Sequence, residues 1–144
     1  MDVATRCQEV ESIRTWVKQE CQLESCEGGK FWLPIVLTAR GPLYAEVIAQ
    51  LPDGTYHQPY PLPDRLKQPL FRLGWRLLSY LAATPAVYLV QFDLAGEEIY
   101  FDRVIPYPGE PATASRGVQE PDLFTCHWLC LNREPLFDLV IKKP

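Results

Sequence analysis

Leu66, Leu70, Leu73, Leu77 and Leu81 recur at helical spacing, and Phe71, Trp75 and Leu78 widen their stripe. Pro69 cannot donate an amide and suits a first helical turn, so the spacing predicts an entry turn over 64–68 and a regular helix over 69–82. Pro85 forbids continuation and pushes Thr84 toward extended backbone. Ala86–Leu94 and Glu97–Ile105 then flank Ala95-Gly96, the pattern of a β-hairpin over 86–105. A register of Phe92 on Ile99 and Val90 on Phe101 puts Tyr88, Val90, Phe92, Ile99 and Phe101 on one apolar face. Gln91, Asp93, Glu98, Tyr100 and Asp102 take the other. The expected core joins Leu73, Leu77, Leu81, Val90, Phe92 and Phe101.

The remaining segments carry weaker versions of the same two periods. Val3, Cys7, Val10, Ile13, Val17 and Cys21 form one stripe over about 5–25, with Thr5 and Gln8 as a capping box and Gly28-Gly29 as the stop. Phe31–Ala39 is apolar on both faces, as a buried strand is, with Pro34 restricting one edge. Leu43–Leu51 alternates, Pro52-Asp53-Gly54 turns, and Thr55–Gln58 is a short return strand. Pro59, Pro61 and Pro63 make a stiff approach to the central helix. The segment 106–121 is loop by composition, and two strands are expected within 122–141, over Phe124–Leu131 and Leu136–Ile141. One domain over 1–144 follows, of the α+β class: two helices packed on a mainly antiparallel sheet of about five to six strands.

Composition narrows the class. At 144 residues with 47% hydrophobic and 12% aromatic content, the chain can bury a core and is not disordered. A net charge of −4 argues against a nucleic-acid partner. No apolar run reaches the ~20 residues of a membrane span. Five cysteines, an odd number without an export signal, suggest a reducing, cytoplasmic setting.

Candidate chemistry is sparse. Cys126-His127-Trp128-Leu129-Cys130 invites a thiol or metal site, with Cys126, His127 and Cys130 as ligands. In a strand, however, residues four apart stand about 13 Å apart, too far to share an ion. No nucleophile elbow, phosphate loop or H-E-x-x-H is present, so no catalytic residue and no cofactor is assigned. An enzyme would need convergence in space, for example of Glu46, His57 and Asp102. The acidic hairpin end (Asp93, Glu97, Glu98, Asp102) reads as a solvated tip. Arg65, Arg72 and Arg76 line one helix face, and arginine forks suit carboxylates. Tyr60, Tyr107 and Arg116 sit on proline-stiffened loops, which lose little entropy on binding. The expectation is a non-catalytic interaction or assembly protein, binding an acidic protein through Arg72, Arg76, Tyr60, Tyr107 and Arg116, with the oligomeric state open.

The stretch Arg40-Gly-Pro-Leu-Tyr-Ala-Glu-Val-Ile-Ala-Gln-Leu-Pro-Asp-Gly54, with a Trp/Pro/Leu-rich, lysine-poor remainder, resembles short uncharacterised proteins of cyanobacteria. That resemblance implies a cytoplasmic accessory protein serving a photosynthetic or carbon-fixing assembly. The element order is also similar to small α+β chaperone or profilin-like domains, an analogy of topology alone.

Overall fold

Strand β1 (Phe31–Thr38) is apolar on both faces because both are covered. In the computed structural model, which describes residues 2–142, it forms the centre of an antiparallel six-stranded sheet. On one side β1 pairs with β5 (Ala86–Ala95), and on the other with β2 (Gly41–Tyr44) and β3 (Ile48–Gln50). The order is β4-β3-β1-β5-β6, with β4 at Tyr56–His57 and β6 at Glu98–Ile105. The α+β class and the mainly antiparallel sheet are therefore as expected.

The expected single strand over 43–51 is broken between β2 and β3, at Ala45–Val47. Pro34 lies opposite the break. It has no N–H to give, and only its carbonyl is used, accepting from Ala45 N–H at 2.9 Å.

The helices exceed the two expected, and they cover both faces. The N-terminal stripe is two helices, α1 (Val3–Cys7) and α2 (Val10–Cys21), rather than one over 5–25. Asp2 caps α1 by accepting from Thr5 N–H at 2.7 Å, in place of the Thr5/Gln8 box. Gln22, in the left-handed region at φ 57°, ends α2 well before the glycine pair. Helix α3 runs Asp64–Tyr80, with Pro69 inside it rather than at its start. Ile13, Val17, Leu70, Leu73, Leu77 and Leu81 pack with Val90, Phe92 and Phe101 in one cluster. At Gly74 α3 lies close on the sheet: a Cβ there would stand 2.5 Å from Ile35 Cδ1.

The opposite face corrects two further expectations. The segment 124–131, expected as a strand, is helix α4 (Leu123–Leu131), started by Asp122 accepting from Thr125 N–H at 2.8 Å. The proline-rich stretch is not a bare loop. It holds a 3-10 helix over Glu110–Ser115 that buries Pro111, Ala112 and Ser115. Leu123, Cys126, Cys130 and Ala112 pack on Trp32, Val36, Val87 and Leu89. β7 (Gln119–Glu120) pairs with β8 (Val140–Ile141) as a separate ribbon, the only part of the expected 136–141 strand that forms.

The hairpin forms two residues out of the expected register. Ala95 pairs with Glu98 and Phe92 with Phe101, and a bulge after Gln91 sets Gln91 opposite Arg103. A shift of two preserves the apolar face, so Phe92 and Phe101 stay buried. The bulge releases Asp102 from the solvent face and turns it inward.

Candidate functional site

Asp102 ends up 1% exposed, and α2 supplies its nearer counterion, with Arg103 Nε also 3.4 Å from Oδ1. Arg14 donates Nη2–H to Asp102 Oδ1 at 2.7 Å and Nε–H to its main-chain oxygen at 2.9 Å. Gly29 N–H donates to Oδ2 at 2.9 Å. Gly29 can stand there because it lacks a side chain: a Cβ would lie 2.6 Å from Phe92 O. This knot joins α2, the approach to β1 and the bulged strand. It fixes the edge strand β6, whose next residues, Arg103, Val104 and Ile105, wall a concavity.

The concavity lies where β6 ends and Pro106 turns the chain beneath α1. A cleft of about 470 Å³ is walled by Val3, Leu81, Ala86, Tyr88, His127 and Leu131, among others. A neighbouring cleft of about 390 Å³ is walled by Cys7, Gln8, Val10, Arg103, Ile105 and Tyr107. Ala4 and Pro106 belong to both walls, so the two are lobes of one hollow. Each is of a size that holds small organic ligands.

The polar groups of the hollow are held in definite states. His127 is placed by α4, and its Nδ1 accepts from Val87 N–H at 3.1 Å. The ring proton therefore sits on Nε2, the donor left to the cleft. Burial lowers the His127 pKa, which keeps the ring neutral at pH 7. Tyr88 O–H is spent on Thr84 O at 2.6 Å, and burial raises its pKa. Burial likewise pushes Cys7 to about 11, so it lines the wall as a thiol. The hollow thus offers a largely apolar wall with His127 Nε2–H, Thr84 and the Asp2 carboxylate, and a second lobe carrying Gln8 and the half-exposed Arg103, whose Nε–H also donates to Asp102 Oδ1 at 3.4 Å. That chemistry fits a planar or apolar body joined to an anionic arm.

Of the residues chosen from sequence, only Tyr107 and His127 reach this hollow. Tyr107 is 55% exposed. Arg76 donates to Glu20 O at 2.7 Å and lies over Trp16, while Arg72 is exposed on α3. Tyr60 packs on Phe31 at 4.9 Å between ring centroids. Arg116 lies 4.5 Å over the Phe124 ring, on the sheet face opposite α3. The five do not form one surface. Glu46, His57 and Asp102 do not converge either: His57 is on β4 and Asp102 on β6, at opposite edges of the sheet.

Cys126 and Cys130 are one helical turn apart rather than far apart along a strand, and both are buried. Burial pushes them to about 12 and about 11 respectively. Among the described residues, no group of three or more His, Cys, Asp or Glu stands where it could hold a metal ion. No helix among them is long and apolar enough to cross a membrane. Sequence reasoning missed Arg14 and Gly29. An arginine in the middle of an otherwise amphipathic helix and a glycine pair before a strand were their only traces.

No protein-family model matches the chain, and no curated protein matches it in sequence. Its architecture is nevertheless found in solved enzymes. Glycinamide-RNase-transformylase T from Mycobacterium tuberculosis superposes with a TM-score of 0.74 at 17% identity, over 93% of this chain and 51% of that one. N5-carboxyaminoimidazole ribonucleotide synthetase from Thermus thermophilus gives 0.66 at 18%, over 78% of this chain and 32% of that one. N5-carboxyaminoimidazole synthetase from Staphylococcus aureus, solved with ADP, gives 0.66 at 10%, over 83% and 32%. At these identities the likeness is one of fold, and the chain spans about half or less of each enzyme's length. The finding overturns the expectation of a non-catalytic interaction or accessory protein, which rested on the proline-rich loops and the arginine stripe of α3. In each of the three solved enzymes named, the matching region is part of a longer chain.

Proposed function

We propose that this chain is a nucleotide-binding portion of a synthetase-type enzyme, and that the two-lobed hollow beneath α1 seats an adenine nucleotide. The observation that carries the reading is the likeness of fold over 93% of the chain to a glycinamide-RNase-transformylase, together with the synthetase and synthase neighbours of the same fold solved with ADP and with ATP. The chemistry of the hollow supports it. A purine is a flat apolar body with ring nitrogens that accept hydrogen bonds, which matches the larger lobe and His127 Nε2–H. A diphosphate is an anionic arm, which matches Arg103 in the smaller lobe.

Titration calorimetry with ADP and ATP, with and without Mg²⁺, tests the proposal on the whole chain. Saturable binding is expected, weakened by His127→Ala and by Arg103→Ala. Adenosine should lose the Arg103 dependence and keep that of His127. Absence of heat at millimolar nucleotide would overturn the proposal, and so would binding indifferent to both substitutions.

A further inference from the structure

Helix α4 is apolar nearly all round, yet it lies on the surface. Leu123, Cys126 and Cys130 face the sheet, while Trp128 and Leu131 are each 59% exposed. A helix without a polar face is ordinarily covered on both sides. Phe124, half-buried against the sheet-face cluster, borders this outward stripe, since Phe124, Trp128 and Leu131 stand at i, i+4 and i+7; Leu131 at the far end also walls the larger lobe of the hollow.

We infer that this stripe is a two-fold interface, in which α4 pairs antiparallel with α4 of a second copy of the chain. The spacing is self-complementary. With the axis at Trp128, that side chain meets the partner's Trp128, and Phe124 meets the partner's Leu131 at both ends. The charges agree with the same register. Arg116 lies 4.5 Å over Phe124, at one end of the stripe. Glu134 follows the other end, held by its N–H donating to Leu129 O at 2.9 Å. Both are exposed, and neither forms an ion pair among the described residues. Antiparallel pairing sets Arg116 against the partner's Glu134, twice. An aromatic centre flanked by opposite charges is the form of surface that binds its own copy.

Sedimentation equilibrium from micromolar to millimolar protein tests this. Wild type is expected to reach twice the chain mass, and Trp128→Glu to remain at the chain mass with an unchanged circular dichroism spectrum. Arg116→Glu and Glu134→Arg should each weaken association at least tenfold, and the two together should associate more tightly than either alone. A wild type that stays at the chain mass overturns the inference. So does a dimer that survives Trp128→Glu, or a double exchange no tighter than its parents.

Discussion

Removing the carboxylate of Asp102 should be among the most damaging single changes available to this protein. The carboxylate is 1% exposed and faces a guanidinium that is 8% exposed, so losing either leaves the other mostly shut off from water. Asp102→Ala deletes the 2.7 Å pair with Arg14 and leaves the buried Gly29 N–H without its acceptor. Breaking a buried pair from one side costs about 3–5 kcal/mol, and an orphaned buried N–H about 1–3 more. Three contacts moderate this: Arg14 keeps the main-chain oxygen of residue 102 at 2.9 Å, Glu11 at 2.8 Å and Glu27 at 3.8 Å, although Glu11 and Glu27 are 84% and 87% exposed. The expected loss is therefore roughly 3–5 kcal/mol out of a total of about 5–15. Arg14→Met/Asp102→Leu removes both charges together and should lose less than Asp102→Ala alone. Urea unfolding followed by circular dichroism, at equal slopes of free energy on urea, measures both. A loss under about 1 kcal/mol for Asp102→Ala would refute the reasoning, as would a double variant less stable than the single.

Other consequences are as direct. Gly29→Ala must move the Phe92 backbone, whose O would lie 2.6 Å from the new Cβ, and should lose roughly 1–3 kcal/mol in the same urea assay. Lowering of the His127 pKa by burial makes the unfolded chain the better proton acceptor. Its stabilising contribution is full above the unfolded value of 6.5 and is lost as pH falls from there through the lowered folded value. His127→Gln should flatten that part of a melting-temperature profile. ADP at a hundred times its dissociation constant should raise the melting temperature by roughly 5–10 °C, from about 2.7 kcal/mol of linkage. His127→Ala should weaken ADP by about 3–10-fold, one neutral hydrogen bond, as read by calorimetry. Alkylation at pH 8 with mass-spectrometric mapping should find Cys7, Cys126 and Cys130 unreactive until the protein opens, since burial holds them at about 11, about 12 and about 11.

Elements with a strong period could be read from the sequence; the rest could not. Helix α3 shows five leucines in step, and the hairpin shows two alternating runs, so both are visible without long-range knowledge. Helix α4 defeats the same method. Its nine residues carry apolar groups on both sides, and over so short a length a helix covered twice and a buried strand look alike. The metal argument at Cys126 and Cys130 failed with it, because it assumed strand distances. The bulge at Gln91 is invisible locally, as it changes which way Asp102 points without changing any residue. The hollow was illegible for a different reason. Its walls come from α1, the end of α3, β5, β6 and α4, and only tertiary packing brings them together.

The segment between α2 and β1 has a consequence for the protein in concentrated solution. At the middle of β6, Cys26 N–H donates to Phe101 O at 2.9 Å and Phe101 N–H to Glu24 O at 3.0 Å, so a stretch of coil occupies the outer rim of the sheet. The other rim is shared by β2, four residues long with Pro42 inside it, and β4, two residues long with Pro59 and Pro61 close behind. Neither rim offers a long row of free amides on which a foreign strand could add. Fibrous growth by strand accretion is thereby blocked at both ends, in a chain whose central strands are otherwise continuous runs of apolar residues.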